Sequence, residues 1–157
     1  MRKVFLDMTK NDNCISVFQK DTEVLQAGTT IYSMPIKDKN DEYQKFADYY
    51  DIHFIFDDNI VSIDFYTIPR VDIMAIDSQG GYIGTVGGLS DVESNMPICY
   101  IDNDRKVFLL ADNFKDFLKN CNSWKEKMKP CDKIEFFTSK EEAKRKYEFV
   151  DISFLHI

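Results

Sequence analysis

Five of the six glycines in this chain lie in one short stretch, between Gly80 and Gly88. Glycine takes the positive φ angles of tight turns more readily than any other residue, so the sharpest reversals of the chain are expected there. The spacing Gly81-x-x-Gly84-x-x-Gly87 differs from the G-x-G-x-x-G of dinucleotide sites, and no helix start follows it to receive a phosphate. The cluster therefore indicates turns and a bulge between paired strands.

The segments on either side of the glycines predict a meander of antiparallel strands, at residues 71–77, 82–86, 98–101 and 107–110. Asn103-Asp104 provides the turn of the last hairpin. A further hairpin is expected earlier, because 53–56 and 60–65 are apolar segments separated by the turn-forming Asp57-Asp58-Asn59. Short strands are also expected at 4–6, 31–34, 134–137 and 149–157.

Helices are expected before and after these strands. Apolar residues recur at helical spacing across 38–50. Asp112 or Asn113 caps a second helix, which can run past Trp124 as far as Met128 before Pro130 stops it. Ser139 and Glu142 form a capping box for a third helix, with pairs expected between Glu141 and Arg145 and between Glu142 and Lys146.

This order of elements predicts an α+β fold. We expect a central antiparallel or mixed sheet of about six strands, with helices packed before and after it in a single layer on one face. The 157 residues contain no repeat, linker or shift in composition, so one domain spanning 1–157 is expected.

The net charge of −7 is distributed unevenly. Residues 1–114 carry 19 acidic and 10 basic side chains, whereas 115–146 carry 6 acidic and 10 basic ones. The acidic body argues against a nucleic-acid partner, which needs a basic surface, and it suits a basic protein partner, although solubility alone would also explain it. The residues proposed for a partner-binding face are Asp57, Asp58, Asp64, Asp91 and Glu93.

Cysteine and histidine placement predicts a cytoplasmic protein without metal or cofactor. Cys14, Cys99, Cys121 and Cys131 form no C-x-x-C pair, so reduced thiols are expected, and neither His53 nor His156 lies near a cysteine. The longest apolar run, 107–111, is far shorter than the roughly 20 residues that cross a bilayer, and no secretory signal is expected at the N-terminus.

No candidate catalytic set emerges, so the chain is expected not to be an enzyme. The carboxylates, which include Asp72 and Asp77 besides the five above, lack EF-hand spacing, and Asp57-Asp58 sits on a predicted turn. Neither histidine is accompanied by a nucleophile motif such as G-x-S-x-G, and the lysines around Trp124 are expected to form the solvated face of a helix. A small enzyme that uses the acidic cluster, with Asp64 and Asp77, stays as an alternative.

Several motifs within residues 60–120 together resemble one family: Tyr66-Thr-Ile-Pro69, the strand 71–77, Gly80-Gly81, Met96-Pro-Ile-Cys-Tyr-Ile101 and Leu110-Ala-Asp-Asn-Phe-Lys-Asp-Phe-Leu118. They resemble the SUKH superfamily, with Asn113 where a serine is usual. The resemblance implies a non-enzymatic protein-binding domain, such as a bacterial immunity protein that occludes a cognate toxin, for instance a nuclease. The alternative within the family is a regulator or scaffold like those of fungal cell-wall glucan synthesis.

Overall fold

The computed structural model of the protein describes residues 2–9, 22–88, 90 and 95–150. Two 3-10 helices, Ile36–Asp38 and Cys121–Glu126, accompany the elements of this part of the chain. Its strands and α-helices, in chain order, are β1 (Arg2–Asp7), β2 (Thr22–Ala27), β3 (Thr29–Ile31), α1 (Asp41–Tyr50), β4 (His53–Phe54), β5 (Tyr66–Ile68), β6 (Val71–Ile76), β7 (Tyr82–Val86), β8 (Ile98–Ile101), β9 (Val107–Ala111), α2 (Phe114–Lys119), β10 (Lys129–Pro130), β11 (Glu135–Phe137) and α3 (Lys140–Lys146).

The main sheet is mixed and has the strand order β10-β9-β8-β7-β6-β3, with β4 as a seventh strand paired to β6. Strands β6 to β9 form the predicted antiparallel meander. Strand β3 runs parallel to β6, so the sheet combines both pairing directions. The α+β class, with a mixed sheet of about six strands, is confirmed.

The glycines turn the meander as the sequence predicts. Gly80 has a φ of 83° in the turn between β6 and β7, a conformation that other residues rarely adopt. A Cβ atom on Gly84 would lie 2.5 Å from the carbonyl oxygen of Asp72, so β7 approaches β6 too closely for any side chain. The register of this strand pair shifts between Ile73 and Ala75, so the ladder is irregular next to Gly84.

Helices cover one face of the sheet and irregular segments cover the other. Phe46 of α1, Phe117 of α2 and Trp124 of the 3-10 helix belong to one core cluster with Met74 and Tyr100 of the sheet. The indole nitrogen of Trp124 donates to the carbonyl oxygen of Tyr50 at 2.7 Å, which joins the 3-10 helix to α1. On the opposite face, residues from 61–65 and 131–136 pack on β6 and β8. Helix α3 belongs to a third cluster with β1, β2, β5 and β11.

The prediction of a hairpin from 53–56 and 60–65 is wrong. Strand β4 pairs with β6, and Phe56 forms a parallel bridge with Met34. Val61 and Ile63 pack against the second core cluster, while Ser62 and Asp64 are exposed. The segment therefore alternates in burial like a strand although it forms none, since an apolar side chain at every second position only requires one covered side.

Pairings between segments distant in sequence account for most other differences between the predicted and the observed elements. Strand β1 pairs in parallel with β2, and β5 pairs with β11. Helix α1 begins after its cap Asn40, because 36–38 forms a separate 3-10 turn. Of the expected final strand, Phe149 bridges to Phe5, and residues 151–157 lie outside the described ones.

The C-terminal helices are shorter than predicted or pair differently. Helix α2 ends at Lys119, and a 3-10 helix carries the chain on to Glu126. The capping box of α3 is confirmed, because the Ser139 hydroxyl accepts a hydrogen bond from the Glu142 amide at 3.2 Å. Lys146 forms its ion pair with Glu135 of β11 instead of with Glu142.

No helix of the described residues is long and apolar enough to cross a membrane.

The structure decides between the two candidate caps of α2, and the choice is testable. The Asn113 side chain accepts a hydrogen bond from the Asp116 amide at 2.8 Å, whereas Asp112 is exposed. Asn113→Ala should lower the free energy of unfolding by about 1 kcal/mol, because it leaves a helix-terminal amide without its partner. Asp112→Ala is the matched control and should stay within about 0.5 kcal/mol of the parent in urea titrations. Equal losses in the two variants would contradict this assignment.

Candidate functional site

A groove of about 510 Å³ opens between α1, α2 and the segment that follows β3. We call this cavity the groove throughout. Its apolar lining comes from all three elements and from the sheet beneath, and six of the side chains are Met34, Tyr43, Phe46, Met74, Phe114 and Leu118. The groove therefore lies on the face of the sheet that the helices cover only in part.

Aromatic contacts hold the α1 side of the groove in place. The ring of Tyr43 lies edge-on to Phe54 at 5.5 Å and to Phe56 at 5.3 Å, and Phe46 lies edge-on to Phe54 at 5.4 Å. Such edge-to-face pairs are favourable because the positive edge of one ring meets the negative face of the other. The helix presents these residues at three-residue spacing, so its apolar stripe forms both core and groove wall.

The opposite side of the groove is a segment held by backbone hydrogen bonds. The Met34 amide donates to the carbonyl oxygen of Ile55 at 2.9 Å, and the Asp57 amide donates to the carbonyl oxygen of Met34 at 3.0 Å. The Ser33 hydroxyl also donates to the Asp57 carboxylate at 2.6 Å. These bonds place the turn that carries Asp57 and Asp58 directly beside the groove wall.

The structure brings together only part of the predicted acidic face. Asp57 and Asp58 share one turn, where Asp58 forms an ion pair of 3.2 Å with Lys39. Asp64 lies elsewhere, in an ion pair of 2.6 Å with Arg105, whose guanidinium covers the ring of Phe65 at 4.3 Å. Asp91 and Glu93 lie outside the described residues.

Two carboxylates that the sequence analysis did not select, Asp38 and Glu42, line the groove. Both are exposed, as is Asn40 between them, so the polar groups stand at the rim. Among the described lining residues there is no lysine, arginine or histidine. The sequence contains one sign of this site, because the apolar residues Tyr32, Met34 and Ile36 alternate just before the acidic residues. Only tertiary contacts bring this segment against α2.

Asp77 and Asp72, considered above as acid–base candidates, are buried and structural. Asp77 accepts hydrogen bonds from the amide of Gly81 at 2.8 Å and from the Tyr100 hydroxyl at 2.7 Å, which fastens the glycine turn to β8. Burial and this carboxylate together raise the pKa of Tyr100 above its usual range. Asp64 and Asp77 thus have separate partners, and the described residues contain no group of three or more potential ligands placed to hold a metal ion.

A polar cluster at the end of α1 resembles a catalytic triad in composition only. Asp51 accepts hydrogen bonds from the Ser78 hydroxyl at 2.7 Å and from Lys125 at 2.7 Å, and His53 Nε2 lies 2.9 Å from its Oδ1. In a triad the serine hydroxyl meets the histidine, whereas here both groups contact the carboxylate. The cluster ties the left-handed cap of α1 to the turn after β6 and to the 3-10 helix.

The hydrogen bonds around Asp51 determine its titration. Burial alone would raise the pKa of this carboxyl, but the bonds from Lys125, Ser78 and His53 outweigh burial and hold the pKa well below its usual range. Because the folded-state pKa is depressed, the stabilisation is complete above the unfolded pKa of about 3.9 and is lost as the pH falls further.

Comparisons with known protein families, curated protein sequences and solved structures find no match to this chain.

Asp51→Asn tests the role of this carboxylate. Asparagine tolerates the φ of 57° at this position, so the substitution removes the charge with little backbone strain. The variant should unfold more easily than the parent at pH 7, and the difference should narrow as the pH falls below about 4. Asp48→Asn, at an exposed site on the same helix, is the control and should stay within about 0.5 kcal/mol of the parent at every pH. A pH-independent difference for Asp51→Asn, measured by urea unfolding from pH 2 to pH 7, would contradict the assignment.

Proposed function

We propose that this protein is a non-enzymatic binding protein that captures a basic protein partner, and that the partner is a toxin which it neutralises by occlusion. The observation that carries the proposal is the charge of the surface around the groove. Four exposed carboxylates line the groove or lie beside its wall, and they are Asp38, Glu42, Asp57 and Asp58. Glu42 and Asp58 form ion pairs with the exposed lysines Lys45 and Lys39. The motifs that resemble the SUKH superfamily indicate that this partner is a toxin.

The acidic surface would act mainly on the rate and selectivity of capture. An excess of one charge sign steers an oppositely charged protein during diffusion and raises the association rate constant. It also disfavours acidic proteins, since like charges brought together at an interface cost free energy. A nuclease toxin, which needs a basic surface to hold phosphates, has the charge that this surface would select.

Occlusion requires no catalytic step by this chain. The surface would cover the part of the toxin that binds its substrate, so inhibition would follow the fraction of toxin bound. This mechanism agrees with the burial of the carboxylates, because Asp72 and Asp77 are buried whereas the four at or beside the groove are exposed. Partner contact would then use accessible charges and leave the buried ones in place.

Binding kinetics against the toxin-like product of an adjacent gene test this proposal. The association rate constant should fall by about tenfold between 50 and 500 mM salt, because salt screens the attraction. Asp57→Lys combined with Asp58→Lys should lower the rate constant at low salt. Asp104→Lys combined with Asp132→Lys is the matched control, since both sites are exposed and the change in net charge is equal.

The outcomes are distinct. Absence of binding to any adjacent toxin-like protein, or an association rate that is independent of salt, would overturn the proposal. Equal effects of the two charge reversals would show that net charge acts without a defined face. A partner that proves to be an enzyme of cell-wall synthesis would instead place the protein with the regulators of that process.

A further inference from the structure

We infer that the groove is the docking site for the partner, and that its occupant is an amphipathic basic segment of that protein. Large apolar side chains of the segment enter the groove, and its lysines or arginines meet the carboxylates of Asp38 and Glu42. This inference rests on the proposed function and names the surface that carries it.

Exposed apolar surface beside the groove favours a macromolecular occupant. Tyr32, which lines the groove, is 42 % exposed, and Ile36 on the following turn is 53 % exposed. These are two of the five exposed large apolar side chains among the described residues. Apolar side chains that cluster beside a concave surface mark sites where another molecule removes them from water.

The position of the polar groups distinguishes a protein partner from a small ligand. Small-molecule sites place a few polar groups deep inside an apolar pocket. In the groove the hydroxyl of Ser90 is already used, since it donates to the carbonyl oxygen of Asp72 at 2.9 Å. No buried side-chain nitrogen or oxygen of the described residues lacks a hydrogen-bond partner. An apolar centre with a charged rim is the usual arrangement of a protein interface.

Charge at the rim selects a basic segment. The rim carboxylate of Glu42 forms an ion pair of 3.6 Å with Lys45, and both side chains are more than half exposed. An ion pair of this kind contributes little free energy, so an incoming cation can replace it. Lys39 already has a partner, because its ammonium contacts the Asp58 carboxylate at 3.2 Å and lies 5.2 Å from the ring of Phe56.

The groove walls are held in place before any partner binds. The aromatic pairs of Tyr43 and Phe46 and the backbone bonds of Met34 restrain two of the three sides. Binding to such a site loses little conformational entropy on this chain, which favours affinity. An amphipathic helix is the expected form of the segment, since residues at i, i+3, i+4 and i+7 present one apolar stripe to a groove.

Synthetic peptides test the inference without knowledge of the partner. The probe is an 18-residue peptide with leucine on one helical face and lysine on the other, and its dissociation constant is measured by fluorescence anisotropy. A peptide with glutamate in place of lysine, and one with serine in place of leucine, should each bind at least about tenfold more weakly. Asp38→Lys combined with Glu42→Lys should weaken the leucine–lysine peptide by about tenfold, whereas Asp104→Lys combined with Asp132→Lys should change binding less than about threefold.

NMR shift mapping of the parent protein keeps the test independent of any variant. The largest amide shifts on addition of the leucine–lysine peptide should fall at Tyr32, Phe46 and Phe114. Shifts centred on the hairpin between β8 and β9, or equal affinity for the lysine and glutamate peptides, would overturn the inference. Concentration-dependent dimers that are lost in the Asp38→Lys and Glu42→Lys double variant would also overturn it, since the occupant would then be a second copy.

The same rim variant separates this inference from the proposed function. If an adjacent toxin binds and the double variant at Asp38 and Glu42 leaves its dissociation constant unchanged, the groove is not the docking site and the immunity proposal stands. If no toxin binds while the peptide results hold, the proposed function fails and the groove stays a docking site for a basic segment.

Discussion

The buried carboxylate of Asp72 is the interaction on which the geometry of the groove depends. It is 1 % exposed, and it accepts hydrogen bonds from the Thr30 hydroxyl and the Ser90 amide at 2.8 Å each. Arg70 lies 3.9 Å away. A buried charge with fewer partners would carry a large desolvation penalty, so the fold must keep these groups in place. Since Thr30 precedes the groove wall and Ser90 lines the groove, one side chain of β6 positions both segments.

The carboxylates of the described residues include two physically different groups. Those of Asp7, Asp72 and Asp77 are buried, and each joins segments that are distant in sequence. Asp7 shows the effect on titration, because hydrogen bonds from Thr9, Lys140 and Tyr66 overcome burial and lower its pKa. The exposed carboxylates around the groove form contacts that water can reach, such as the ion pairs of Asp58 with Lys39 and of Glu42 with Lys45. An acidic composition alone therefore does not indicate a binding surface, because buried carboxylates stabilise the fold and only the exposed ones can contact a partner.

Most local signals in the sequence predicted local structure correctly, although the turn-forming residues at 57–59 did not lead to the expected hairpin. Caps such as Ser139, the glycine turns and the meander from β6 to β9 depend on neighbouring residues, so their patterns are visible in the chain itself. The parallel pair of β3 with β6 and the pair of β5 with β11 join distant segments, and no local pattern encodes such partners. The groove was missed for the same reason, because its three sides come from segments around Met34, Phe46 and Phe114 that meet only after folding.

Placement of Asp57 and Asp58 beside the groove changes how an acidic face would contribute to binding. Exposed ion pairs add little affinity, because water and salt screen them and ordering the side chains costs entropy. Burial of apolar surface adds affinity but selects poorly between apolar partners. A groove with apolar walls and carboxylates at its rim would combine affinity with selectivity. The walls would provide most of the free energy of binding, and the rim would select a basic segment and orient it. Under this proposal Asp57 and Asp58 would orient and attract the partner, and the apolar walls would form the main contact.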